Sequence, residues 1–86
     1  MKILEIRDLN DGSIDRYTVV YNCVDHYTPD GKPLYMAVGM NSEPFHPQGF
    51  GQHCVAMPGK HLGKKIKFSD LPKDCQRLVK QDLGGN

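Results

Sequence analysis

Apolar and polar residues alternate along three segments in the first half of the chain, with the two-residue period that predicts β-strands. The segments are residues 2–9, 14–24 and 34–40. Turn signals separate them, because Asp-Gly lies within residues 10–13 and Pro-Asp-Gly within residues 27–33. Glycine accepts the positive φ that a tight turn needs. The pattern predicts an antiparallel meander whose second strand is central, since both faces of that strand carry apolar groups.

The register of the first hairpin stays open. A two-residue turn at residues 11–12 places Arg7 opposite Arg16 and Asp8 opposite Asp15. Like charges directly opposite each other destabilise a strand pair. A longer loop or a bulge is the alternative.

Two shorter strands are predicted in the second half. Residues 52–57 form an apolar run that ends at a Pro-Gly turn, and residues 64–68 alternate basic with apolar side chains. Lys65 and Lys67 point outward in the second of these strands. Lysines at such positions are typical of a sheet edge, where charge discourages pairing with another chain.

The C-terminal segment shows the spacing of an amphipathic helix. Its apolar positions recur every three or four residues: Leu71, Cys75, Leu78, Val79 and Leu83. Ser69 or Asp70 is the predicted cap, Pro72 is placed in the first turn, and Gly84-Gly85 ends the helix.

Together these elements predict one α+β domain over residues 1–86. We expect a small curved antiparallel sheet of four to five strands, either open or closed into a partly open barrel, with one C-terminal helix packed on it. The chain is short and 38% hydrophobic, so its core is thin.

Residues 41–53, the 41–53 loop, have neither a helical nor a strand period. The segment contains Phe45, Phe50, His46 and His53 together with two Pro and two Gly. Either the two phenylalanines plug the core or one is presented to a partner. We interpret the loop as the crossover from the meander to the basic strand and helix, with its polar side chains as candidate contacts: Asn41, Glu43, Gln48 and Gln52.

Charge divides the chain unevenly. Residues 1–59 carry four Lys/Arg and seven Asp/Glu, whereas residues 60–86 carry seven Lys/Arg and three Asp. The basic segment, Lys60 to Lys67, contains four lysines that can hold a phosphate of a nucleotide or nucleic acid: Lys60, Lys64, Lys65 and Lys67. The alternative is a solubilising edge strand.

Metal and catalytic chemistry receive little support. His46, His53, Cys54 and His61 fall within sixteen residues, but their spacing does not match the close pairs of a zinc site. We therefore expect no metal and no cofactor, and keep an enzyme or metal protein that uses the three histidines as a weaker alternative. No acid–base constellation or nucleophile motif occurs.

Three widely spaced cysteines, Cys23, Cys54 and Cys75, favour unpaired thiols in a reducing compartment rather than a disulfide framework. We expect all three to be buried. No apolar run approaches the roughly 18 residues that span a bilayer, so a cytoplasmic protein without membrane contact is expected.

Three segments together resemble a family of short uncharacterised proteins carried by bacteria, phages and other mobile elements. They are Asp15-Arg16-Tyr17-Thr18-Val19, Pro44-Phe45-His46-Pro47-Gln48-Gly49-Phe50-Gly51 and Leu62-Gly63-Lys64-Lys65-Ile66-Lys67-Phe68-Ser69-Asp70-Leu71-Pro72. The resemblance covers residues 15 to about 83 and brings no activity, cofactor or catalytic residue. It implies that the protein binds and blocks a host component.

The leading hypothesis is a small non-enzymatic binding protein of a phage or mobile element, with inhibition of a host defence component as its candidate role. Its surface would combine the 41–53 loop with the neighbouring basic strand. The candidate binding residues are Phe45, His46, Gln48, Phe50, Gln52, His53, Lys60, Lys64, Lys65 and Lys67. The runner-up is a nucleic-acid or nucleotide binder that uses the basic segment, and an exposed sheet edge makes a homodimer reasonable.

Overall fold

The predicted α+β fold is confirmed: one open, five-stranded antiparallel sheet carries a single C-terminal helix. A computed structural model describes residues 1–84 of the chain. The elements are β1 (Ile3–Asp8), β2 (Tyr17–Tyr27), β3 (Pro33–Met40), β4 (Gly51–Ala56), β5 (Lys64–Lys65) and α1 (Lys73–Asp82), with short 3-10 helices at Lys60–Leu62 and Phe68–Asp70. The strands lie in the order β4-β3-β2-β1-β5, so β2 is central as predicted.

The first hairpin uses the longer loop rather than a two-residue turn. Asp8 pairs with Tyr17 and Arg7 with Thr18, so the like-charged pairs of the tight register do not form. Instead, the Arg16 side chain reaches back to Asp8, with 2.7 Å between Nε and Oδ1. Asp8 and Arg16, which would each face a like charge in the short-turn register, therefore form an ion pair across the longer loop.

Helix α1 packs on one face of the sheet. Ile6, Tyr17, Val19 and Val38 on the strands meet the apolar stripe of the helix in a single buried cluster. The rest of the cluster is Tyr21, Met40, Leu71, Cys75, Leu78 and Val79, and Leu83 packs against it half-buried. All five predicted stripe residues contact this core, but only Cys75, Leu78 and Val79 lie within α1, whereas Leu71 precedes the helix and Leu83 caps its end.

The start of α1 differs from the prediction. Asp70 ends a separate 3-10 turn, where its carboxylate accepts the backbone N–H of Lys67 at 3.0 Å. Pro72 occupies the N-cap of α1 itself, where its missing N–H costs nothing. At the other end Gly84 adopts a φ of 86° and closes the helix as predicted, and Gly85 lies outside the described residues.

The crossover of the fold comes after β4, so the prediction that it lies at residues 41–53 was wrong. β4 and β5 are at opposite edges, and residues 57–63 join them across the face that α1 leaves open. On that face the Glu5 carboxylate accepts the backbone N–H of Gly59 at 3.0 Å. Val20 and Ala37, which are not part of the helix-facing cluster, are only 0% and 1% exposed, so this second face of the sheet is covered there as well.

Within residues 1–84, no helix is long and apolar enough to cross a membrane.

Candidate functional site

The connection between β3 and β4 is an ordered loop of residues 41–50, shorter than predicted because residues 51–53 belong to β4. The Asn41 side-chain oxygen accepts the backbone N–H groups of Glu43 and Phe50, both at 3.0 Å. A further bond, from the Gln48 N–H to His46 Nδ1 at 3.1 Å, closes the turn around Pro47. The loop is thus shaped by its own polar side chains.

Neither phenylalanine of this loop belongs to the buried core. Phe50 is half-buried at the end of the loop, and Phe45 is 41% exposed. The guanidinium carbon of Arg77, on α1, lies 4.1 Å from the centre of the Phe45 ring. A cation over an aromatic face is attracted by the ring quadrupole, so this contact attaches the loop to the helix.

The outer face of α1, next to the contact between Phe45 and Arg77, is basic. Lys73, Arg77 and Lys80 recur at helical spacing and, with Gln76, line a shallow groove of about 410 Å³. One acidic side chain, Asp74, lies 3.6 Å from Arg77. We call Phe45 together with these four groove residues the loop–helix surface.

The candidate binding residues predicted from the sequence include Phe45 but none of the four helix residues. The signal for them was three cations at positions four and three residues apart. Nothing local in the sequence indicated that the face would lie beside Phe45.

The predicted lysines lie elsewhere. Lys60 is in the 3-10 helix of the crossover, Lys64 and Lys65 form β5 opposite Asp8 and Arg7, and Lys67 follows. All four are exposed. Because three strands separate β4 from β5, the sheet does not join the 41–53 loop to the basic strand, and the predicted composite surface has no support in the strand order.

The other predicted loop residues are also divided. His46 and Gln48 are exposed in the loop, whereas Gln52 and His53 are exposed neighbours in β4. Adjacent residues of a strand point to opposite faces, so Gln52 and His53 do not act from one side of the sheet.

His53 takes part in a polar network that the sequence did not reveal. Its Nε2 lies 2.8 Å from Oδ1 of Asp82, and the other carboxylate oxygen accepts the Tyr21 hydroxyl at 2.5 Å. Burial, then the bond to Asp82, raises the pKa of Tyr21 well above its usual value. The negative end of the helix dipole disfavours a carboxylate in the last turn of α1. The hydrogen bonds to His53 and Tyr21 offset this effect at Asp82.

A cavity of about 420 Å³ lies beside this network. Three exposed or half-exposed apolar side chains, Met1, Met36 and Val55, line it together with His53 and Asp82. The cavity therefore opens next to β4 at the edge of the sheet.

The cysteines do not form a reactive centre. Cys75 is buried as expected, and burial raises the pKa of its thiol to about 11. Cys54 is exposed rather than buried, because it lies on an edge strand, and Cys23 is half-buried. Partial burial still raises the pKa of the Cys54 thiol, so at neutral pH it is protonated and a poor nucleophile.

Residues 1–84 bring together no group of three or more His, Cys, Asp or Glu side chains that could hold a metal ion.

Comparison of the chain with protein-family models, with curated proteins and with solved structures finds no match in any of the three.

Proposed function

We propose that this protein is a small non-enzymatic binding protein that contacts an acidic partner protein through the loop–helix surface. The observation that carries the proposal is the exposed Phe45 ring held beneath Arg77 at 4.1 Å. Aromatic residues, Phe included, and Arg are enriched at protein interfaces, and Arg is also among the residues that contribute most of the binding energy.

The charge of the surface supports an acidic partner. Lys73, Arg77 and Lys80 outnumber Asp74 on this face of the helix. Complementary charge speeds encounter and selects against wrong partners, while the aromatic ring supplies apolar contact area. The loop presenting Phe45 is already ordered by Asn41, so little conformational freedom is lost on binding.

The resemblance to proteins of mobile elements extends the proposal to the partner's origin. We place the protein in the cytoplasm of a bacterial host, where it would inhibit a host defence component. Three unpaired cysteines support a reducing compartment.

Affinity purification from a bacterial host lysate, followed by mass spectrometry, tests the proposal with matched variants. Phe45→Ala and Arg77→Glu are each expected to reduce recovery of the specific partner at least about tenfold. Lys32→Glu, an exposed charge change in the turn before β3, is the control and should leave recovery unchanged. An identical set of captured proteins for wild type and both variants would contradict the proposal.

Nucleic-acid binding by the basic segment is the second candidate. Its support is that Lys60, Lys64, Lys65 and Lys67 are exposed and that none of them forms an ion pair with another residue of the described chain. Binding to short RNA or DNA should then weaken as salt is added. Lys65→Glu should make the negative slope of log K against log salt shallower by about one unit. Absence of any mobility shift at low salt removes this candidate.

A further inference from the structure

The two edges of the sheet differ in their chemistry. β5 has two residues, both lysine and both exposed, so its edge repels a second copy of itself. β4 is six residues long and, from Gly51 to Ala56, contains no Asp, Glu, Lys, Arg or Pro. Natural edge strands are usually protected by charge, proline or bulges, and β4 has none of these.

The backbone of β4 offers a defined set of unpaired groups. Asn41 N–H bonds to the Phe50 carbonyl at 2.9 Å, which marks this pair as hydrogen-bonded in the β3–β4 ladder. Hydrogen-bonded pairs alternate along an antiparallel ladder, so Gln52 and Cys54 also point their backbone groups toward β3. The N–H and C=O groups of His53 and Val55 consequently point away from the sheet, as do those of Gly51.

We propose that β4 pairs antiparallel with β4 of a second copy of this chain, about a two-fold axis at Cys54. This register places His53 opposite Val55 of the other copy, so the outward backbone groups of both residues are satisfied. It also avoids placing His53 opposite His53. Pairing β4 with the β5 edge of another copy would instead be head-to-tail and would not close.

Exposed apolar surface beside the β4 edge also favours pairing with a second copy of this chain. Met1, Met36 and Val55 are 51%, 39% and 41% exposed and line the cavity next to β4. A second copy on this edge covers part of that surface. A strand of this length extends only about 20 Å, and such an edge buries less than the roughly 1,600 Å² of a standard interface, so the dimer should dissociate on dilution.

Sedimentation velocity over a series of concentrations tests the association. The wild type is expected to shift from monomer to dimer as concentration rises, and Val55→Lys should keep it monomeric. Val24→Lys is the matched control, because Val24 is similarly exposed at 38% but lies within β2, away from the open edge. Val55→Pro removes one outward N–H without touching the β3 ladder and should also prevent the shift.

Cross-linking tests the position of the two-fold axis. Opposite residues of a non-hydrogen-bonded antiparallel pair have Cα atoms about 4.5 Å apart, which is within the range of a disulfide. Diamide added at alkaline pH, where part of the Cys54 thiol is ionised, should therefore join Cys54 to Cys54 of the second copy, taking up the two electrons and two protons that the thiols lose. Cys54→Ser should abolish this product, whereas Cys23→Ser should not.

A wild type that stays monomeric at every concentration would overturn the proposal and leave β4 as an edge for a foreign strand. A dimer that persists in both Val55 variants would overturn it as well. A Val55-dependent dimer without the Cys54 bridge would overturn the position of the axis. The inference does not rest on the loop–helix surface, so Phe45→Ala should dimerise like wild type.

Discussion

Glu5 connects β1 to the crossover that covers the helix-free face of the sheet. Its Oε2 accepts hydrogen bonds from Arg7 Nε at 2.9 Å and from the backbone N–H of Gly59 at 3.0 Å. The Glu5 side chain is only 10% exposed. The hydrogen bond from Arg7 holds the pKa of Glu5 below its usual value, against the opposing effect of burial. Glu5 therefore helps to fix where the crossover meets the sheet, together with Arg7, whose Nη1 donates to the Gly63 carbonyl at 3.3 Å.

Glu5→Gln should lower the free energy of unfolding by about 1 kcal/mol at pH 7, because the charge-assisted bond to Arg7 is weakened. A carboxylate whose folded-state pKa is depressed stabilises the fold above its unfolded pKa, and this contribution is lost as pH falls through the folded value. The difference between wild type and variant should therefore shrink below pH 4.5, the ordinary value for this group. Urea unfolding at pH 7 and pH 3 measures it.

Asp30→Asn is the control for that comparison, because Asp30 is 66% exposed and its removal should change stability little at either pH. A Glu5→Gln deficit of equal size at both pH values would contradict the assigned role of the carboxylate.

Tyr21→Phe should destabilise the protein by about 1 kcal/mol, because Asp82 loses one of its two hydrogen bonds while the aromatic ring in the core is kept. Tyr27→Phe is the matched control, since Tyr27 is 65% exposed and should be close to neutral. Chemical unfolding of both variants measures the difference. Equal stability of the two would show that the Tyr21–Asp82 bond contributes nothing to the fold.

At the scale of elements, the local periodicity of apolar residues predicted a helix or strand well where one face of that element is buried. The stripe of α1 and the alternation in β3 predicted those elements closely, because each packs against the core. β2 was predicted over residues 14–24 and is observed three residues later, at Tyr17–Tyr27. β4 was placed only approximately. All of its residues except Ala56 are exposed, so alternation gave no sign that it starts at Gly51 or that the loop before it ends at residue 50.

β5 was predicted over residues 64–68, but only Lys64 and Lys65 pair with β1. Ile66 still donates its N–H to the Ile6 carbonyl at 2.9 Å, and the 3-10 turn at Phe68–Asp70 then redirects the chain toward α1. The alternation of basic and apolar residues over positions 64–68 therefore continues beyond the two residues that pair with β1. The pairing partner of a strand is a non-local property, which the sequence pattern alone does not determine.

Gly49→Ala should disrupt the β3–β4 loop, because an added Cβ would lie 1.7 Å from the Glu43 carbonyl oxygen. Gly31→Ala is the control: nothing lies within 4 Å of its added Cβ, and only the φ of 86° opposes it, at a cost of about 1 kcal/mol. Gly49→Ala should cost more than this and should shift the amide resonances of residues 41–50. A smaller loss than Gly31→Ala would contradict the close packing of the loop.

At the scale of the whole molecule, the candidate surfaces depend on contacts that join distant parts of the chain. Phe45 and Arg77 are 32 residues apart, and Tyr21 and Asp82 are 61 residues apart. Sequence reasoning selected Phe45 and His53 from composition, but their partners follow from where α1 crosses the sheet. The same reasoning grouped the basic segment with the loop because they are close in sequence, whereas the sheet order separates them.

Amide hydrogen exchange across the whole sheet tests both the strand order and the proposed pairing. In dilute protein the N–H groups of Gln52 and Cys54, bonded to β3, should exchange more slowly than those of His53 and Val55, which face solvent. At high concentration His53 and Val55 should become protected as the second copy pairs with them. Amides between β2 and β3 are the internal control, because their protection should not depend on concentration. Uniform exchange along residues 52–55 at every concentration would contradict the alternation of inward and outward groups, and with it the edge that the proposed dimer requires.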